Sequence, residues 1–143
     1  MTQPHHPPLL PDSLAAALRQ GLPSGSRLAF PEPPGAGAAA VAEALRRDPH
    51  VPAVLAILPS PIALETFCHD ALAFCPTPSG VHAYPMLDLA EDDPEAAAAR
   101  LSALNLLRRV KSPQAIVATC AQALLQPSPD PDRTEALSQT VAA

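Results

Sequence analysis

The chain has 143 residues, 48% hydrophobic and 16% charged, with a formal net charge of −5. That is enough for one domain that buries roughly 70% of the surface its unfolded form exposes. The acidic balance argues against a nucleic-acid binder acting through its own surface. No apolar run reaches the ~18–20 residues of a membrane span. The start, "MTQPHHPPLLPD", has neither a basic n-region nor an apolar h-region, so a cytoplasmic location is expected.

Residues 1–11 read as a loose Pro/His lead-in. "PDSLAAALRQG" follows as a short helix, with Asp12 or Ser13 as N-cap, Leu14 and Leu18 four apart, and Gly21 as the stop. "SRLAF" (26–30) is a brief strand. "PGAGAAAVAEALRRD" (34–48) is a helix on which Val41 and Leu45 share a face, with Arg46 and Arg47 favourably placed in the last turn. "VPAVLAILP" (51–59) is a near-continuous apolar run between prolines, the pattern of a strand buried on both faces.

Ser60 as N-cap and Pro61 at the first helical position open a helix over 60–75. Ile62, Thr66, His69 and Ala73 follow one of its sides; Leu64, Phe67, Cys68, Ala71 and Leu72 fill the other. "VHAYP" (81–85) is a third strand. "DPEAAAARLSALNLLRRVK" (93–111) is the clearest helix, capped by Asp93, with Pro94 at its first position. Leu101 and Leu104, with Ala97 or Arg108, mark its period. "QAIVATC" (114–120) is a fourth strand, and "AQALLQ" starts a short helix that Pro127 ends.

Strict alternation of helix and strand predicts an α/β fold in three layers. A mainly parallel sheet of about four strands would carry helices on both faces, with any ligand site near the strands' C-terminal ends. The domain is expected over 12–126, with 127–143 a linker toward a following module.

The stretch "FPEPPGAGAAAVAEAL" (30–45) has the layout of a phosphate-cradling loop, which raises three readings. A working P-loop needs a lysine for the β/γ-phosphates and a hydroxyl for Mg²⁺. If Gly35 is the last glycine, those positions are Ala36 and Gly37; if Gly37 is, they are Ala38 and Ala39. The single lysine, Lys111, is remote in sequence. A dinucleotide fingerprint fits "GAGAAA" as G-x-G-x-x-A, but the next strand ends "AILPSP", without the acid that would grip a ribose. The third reading is a strand-to-helix turn whose small residues let the helix approach the sheet. On this reading Gly35, Gly37, Ala38 and Ala39 are degenerate phosphate-loop positions, and the chain has no catalytic, cofactor-binding or metal-binding residue.

Other candidates are weaker. Cys68, Cys75 and Cys120 contain no CxxC and read as buried thiols, in preference to a metal set with His69. Cys120 follows a strand, where a nucleophile can sit, but no partner acid or histidine is identifiable. Asp88, Glu91, Asp92, Asp93 and Glu95 read as a solvated loop and a helix start that favours carboxylates, in preference to a cation site. Arg108, Arg109 and Lys111 read as a complement to the helix dipole.

From the third strand onward the chain resembles the N-terminal part of bacterial transcription-repair coupling factors. The family's "FPAWDTLPYE"-like, "ERLATLxxL"-like and "IVVTTVRALLQ-P" segments have counterparts here. These are Ala83-Tyr84-Pro85 with Asp88; Ala99-Arg100-Leu101 with Leu104; and Ile116-Val117-Ala118-Thr119 with Ala123-Leu124-Leu125-Gln126-Pro127. Upstream, "RLAF…GAGAAAVAEAL" sits where that family has a degenerate P-loop, and the match runs in order over about 12–127. It departs at "YPMLDLAEDD", where the family has Trp and a second aromatic/Pro pair.

The resemblance implies part of a degenerate RecA-like domain, similar to the N-terminal domain of the excision-repair helicase, with the ATPase motifs lost. In that family the next module docks the damage-recognition protein of excision repair. More distant domains bind RNA polymerase and drive an ATP- and Mg-dependent DNA translocase. The chain is then expected to be a fragment with no cofactor of its own, a non-catalytic scaffold that packs within the parent protein and has an open sheet edge prone to self-association. The alternative is a small α/β nucleotide-binding protein or enzyme using the Gly35–Ala40 loop.

Overall fold

A computed structural model describes residues 37–49, 51–75, 80–88, 93–109, 111, 114–128 and 130. The helix expected over 12–21 and the strand over 26–30 lie outside them. The described elements are α1 (Gly37–Arg46), β1 (Ala53–Leu58), α2 (Pro61–Phe74), β2 (Val81–Tyr84), α3 (Pro94–Arg109), β3 (Ala115–Cys120) and α4 (Ala121–Leu124).

The strands form a parallel sheet in the order β1-β3-β2. Ala53 to Leu58 pair with Ala115 to Cys120, and Val81 to Tyr84 with Ile116 to Thr119. α2 carries the chain from β1 past β3 to β2; α3 brings it back from β2 to β3.

The register assigns each helix to a face. Residues opposite one another in a parallel pair point the same way, so Leu55, Ile57, Val117, Thr119, His82 and Tyr84 share one face. α3 lies on that face, because its Arg100 bonds to Tyr84. α1 and α2 pack on each other and on β1 and β3. They cover the opposite face, where Val54, Ala56 and Leu58 join the core. The two crossovers thus run in opposite directions on opposite faces. They share one hand, the right-handed one that parallel connections take. The architecture is the expected three-layer α/β fold; three strands fall within the described residues.

β3 is buried at all six positions. Ile116 alone contributes about 1.5–3 kcal/mol of apolar burial. The burial on both faces expected for 51–59 belongs instead to β3. β1 is half-buried on one side, with Leu55 59% and Ile57 57% exposed on the other. α3 packs on β2.

The helix starts follow the sequence. Ser60 Oγ accepts from the amide of Ala63 at 3.2 Å, and Asp93 Oδ1 accepts from that of Ala96 at 2.9 Å. The buried faces follow it less closely. On α1 the buried residues are Ala39, Ala40, Ala42 and Glu43, while the face that Val41 and Leu45 share is half-buried. On α3 it is Ala96, Arg100 and Ala103; Leu101 and Leu104 are half-buried and Arg108 is exposed. On α2, Leu64, Phe67 and Ala71 of one predicted side are buried, but Leu72 of that side is 46% exposed. Where small alanines fill a helix, close approach to the sheet selects them over the larger residues nearby.

Below the sheet, at the strands' N-terminal ends, α1 finishes in an ion cluster. The fully buried Glu43 accepts from Arg46 Nε at 2.6 Å, Arg46 Nη2 at 2.8 Å and Arg47 Nε at 2.8 Å. Arg46 also donates to the carbonyl of Gln114, and Arg47 to that of Phe74. Burial pushes the Glu43 carboxyl up, but the two guanidinium groups outweigh it and hold it below the usual carboxylate range. Gln114 itself has φ 46°, the left-handed region, and its amide donates to the carbonyl of Pro52 at 3.0 Å.

Candidate functional site

The degenerate phosphate loop is described from Gly37 onward; Gly35 lies outside the described residues. Gly37, Ala38 and Ala39 are the first three residues of α1. Ala39 is 1% exposed and belongs to the core. The position that a Mg²⁺-binding hydroxyl would take in the Gly37 register is therefore a packing position against the sheet. Ala38, at the lysine position of that register, is exposed.

At the C-terminal ends of β2 and β3, where α/β folds place their ligands, the structure assembles a polar cluster. Arg100 reaches it from α3 with only 2% of its surface exposed. Its Nη2 donates to Tyr84 Oη at 2.6 Å and to the carbonyl of Ala123 at 3.3 Å; Nη1 donates to Gln126 Oε1 at 3.1 Å. The guanidinium carbon stands 4.2 Å from the centroid of the Tyr84 ring, a cation–π distance. Tyr84 Oη donates onward to Ser128 Oγ at 3.2 Å, and Thr119 Oγ1 donates to the carbonyl of Tyr84 at 2.9 Å. Gln126 takes both backbone groups of Leu87: its Nε2 donates to the carbonyl at 2.7 Å, and its Oε1 accepts from the amide at 2.8 Å.

Arg100 is thus a buried cation held by neutral acceptors and an aromatic face. Its hydrogen-bond acceptors are a phenol oxygen, a backbone carbonyl and a side-chain amide oxygen. Arg100 Nε is buried without a hydrogen-bond partner. The groups around it are engaged with one another, so the cluster ties the segments after β2 and after α4 to α3. Its chemistry is that of a structural junction.

The remaining candidates stay apart. Cys75 and Cys120 are buried as expected, whereas Cys68 is half-buried. Burial raises the Cys68 thiol above its ordinary pKa, which disfavours the reactive thiolate. Among the described residues no group of His, Cys, Asp and Glu could hold a metal ion. Asp88, Asp93 and Glu95 are exposed; Glu91 and Asp92 lie outside the described residues. Arg108 and Lys111 are exposed at the end of α3.

Sequence reasoning singled out Tyr84, Arg100 and Gln126 only through the family resemblance and missed that they meet. It also missed Glu43, for which a signal existed: an acid three and four residues ahead of two arginines on one helix. No described helix is long and apolar enough to cross a membrane. Comparison with models of protein families, with curated proteins and with solved structures finds no match to this chain.

Proposed function

We propose that the chain is a non-catalytic scaffold domain of a transcription-repair coupling factor, a cytoplasmic protein of nucleotide excision repair, and that its α/β fold is a degenerate RecA-like one. One observation carries the reading. The residues that bear the resemblance come from three separate segments, and they converge. Tyr84, Arg100, Ala123 and Gln126 form one hydrogen-bonded junction. A collinear likeness that rested on composition alone gives no reason for these side chains to meet. The start of α1 adds support, since a core alanine stands where phosphate chemistry needs a hydroxyl.

On this reading the domain binds no nucleotide and performs no reaction. ATP and Mg²⁺ serve other parts of the parent protein, as do contacts with the damage-recognition protein of excision repair, RNA polymerase and DNA. The domain contributes a rigid sheet on which those parts pack. Calorimetric titration with ATP, ADP and NAD tests this, with no saturable heat expected. Micromolar binding abolished by Gly37→Trp overturns the scaffold reading in favour of a nucleotide-binding protein. The downstream coding sequence gives a second test: the proposal expects a long frame with an intact GxxxxGK[ST] and a DE-x-[HQ] motif.

A further inference from the structure

The buried cation Arg100 carries an unmet demand. Its side chain donates to neutral oxygens of Tyr84, Ala123 and Gln126, and its Nε is buried with no hydrogen-bond partner. A guanidinium is a planar fork whose best partner is a carboxylate or a phosphate, gripped by two parallel N–H groups. Nε–H and one N–H of Nη2 point from the same edge of that plane. Nη2 meets Tyr84 Oη at 2.6 Å, and Nε meets nothing. The edge thus holds one neutral acceptor where an anion would fill both places.

Tyr84 links that edge to an exposed hydroxyl. Its Oη donates to Ser128 Oγ at 3.2 Å, so two hydrogen bonds join Ser128 to Arg100. Ser128 is exposed in irregular backbone after α4, between Pro127 and Pro129. A following proline biases a residue toward extended backbone, the form in which a peptide segment enters an enzyme's cleft. The other described serine and threonine hydroxyls are less available. Ser60 caps α2, Thr66 bonds within α2, Thr119 is buried, and Ser102 lies inside the span of α3.

We infer that Ser128 is a phosphorylation site and that Arg100 receives the phosphate. In the modifying step, Ser128 Oγ attacks the terminal phosphorus of a nucleoside triphosphate held by a protein kinase. The hydroxyl proton passes to a base of the kinase, the Oγ–P bond forms, the bond from phosphorus to the bridging oxygen breaks, and the nucleoside diphosphate leaves. The product carries three acceptor oxygens and a charge of roughly −1.5 to −2. Ser128 Oγ is no farther from Nη2 than the 3.2 and 2.6 Å of the two bonds laid end to end, within the reach of a phosphoryl oxygen. Tyr84 Oη then donates to the phosphate, and the Nε and Nη2 edge takes its oxygens.

The modification replaces a neutral contact with an ion pair at the junction that already joins Tyr84 and Gln126 to α3. It fastens the chain at Ser128 to α3 and so fixes the path along which the chain leaves the sheet. Asp88 and Asp130 are exposed acids near this point in sequence. They would raise the pKa of a phosphate, whereas Arg100 lowers it, so the sign of the shift identifies the group that the phosphate meets.

Two measurements on the full chain test this. Phosphoserine is installed at position 128 and, as a control, at the exposed Ser102, whose neighbours one helical turn away are the uncharged Ala98, Ala99, Asn105 and Leu106. In a ³¹P NMR titration the second phosphate pKa, about 6 when unperturbed, should fall by about half a unit or more at 128 and stay in place at 102. The thermal midpoint should rise by roughly 3 °C or more with the phosphate at 128. An unshifted or raised pKa at 128, or a lowered midpoint, overturns the docking on Arg100. Phosphopeptide mass spectrometry of the chain isolated from its own growing and starved cells should find a phosphoryl group on Ser128. Its absence in both overturns the modification.

Discussion

Glu43→Gln is the sharpest perturbation of the packing. The side chain is fully buried and receives three charge-assisted hydrogen bonds, two on Oε1 and one on Oε2. Glutamine has nearly the same shape but can accept only through one oxygen. If its carbonyl keeps the Oε1 position, its amide turns toward Arg46 Nε, donor against donor. One bond is lost outright, while the other two stay charge-assisted through their guanidinium donors. With a charged bond worth about 1.5–3 kcal/mol, the loss comes to about 1.5–3 kcal/mol. Arg47 is half-exposed and recovers hydration, so the lower half of that range is expected.

Urea unfolding near neutral pH, followed by far-UV circular dichroism, measures the difference. The sign of its pH dependence follows from the folded carboxyl lying below its unfolded value. The stabilisation is complete above the unfolded pKa and disappears as pH falls through the folded one. The gap between wild type and Glu43→Gln should therefore close in acid. A loss below about 0.5 kcal/mol at neutral pH, or a gap that persists unchanged into acid, refutes the assignment of Glu43 as the charged centre of the cluster.

Three further outcomes are expected. Tyr84→Phe removes the oxygen that accepts from Arg100 and donates to Ser128, and should cost about 1–3 kcal/mol in denaturant unfolding; a neutral result means that the junction does not support the fold. At Gly80 an added Cβ would stand 2.7 Å from Cys75 Sγ, so Gly80→Ala should cost about 1–3 kcal/mol. Cys75→Ala should recover part of that loss in a double-mutant cycle, and strict additivity would show that the sulfur is not the obstacle. Gln114→Gly relieves a left-handed backbone at an exposed site and should raise the thermal midpoint through about 1 kcal/mol of stability, whereas Gln114→Val should lower it.

Element type was legible because its signals are local. Ser60-Pro61 and Asp93-Pro94 mark helix starts by the chemistry of orphan amides, and apolar runs of strand length mark β1 and β3. Position within the sheet was not legible. "AVLAIL" is more apolar than "AIVATC", yet the latter is central, since sheet order depends on crossover direction and not on the strand's own residues. Helix faces were hard to read for a related reason: on α1 the charged Glu43 lies on the buried side, and on α3 alanines on several sides blur the apolar stripe. Arg100 shows the limit most clearly. A lone arginine among alanines reads as a solvent-facing charge. Its burial depends on partners 16, 23 and 26 positions away in sequence.

The hold of Gln126 on Leu87 has a mechanical consequence. One side chain grips both backbone groups of a residue thirty-nine positions earlier, much as a neighbouring strand would. A pull on the chain beyond Pro127 therefore loads this grip, and with it Arg100 and α3, before tension reaches β3. A polar anchor of this kind can release and re-form, while the apolar sheet stays shielded from the force.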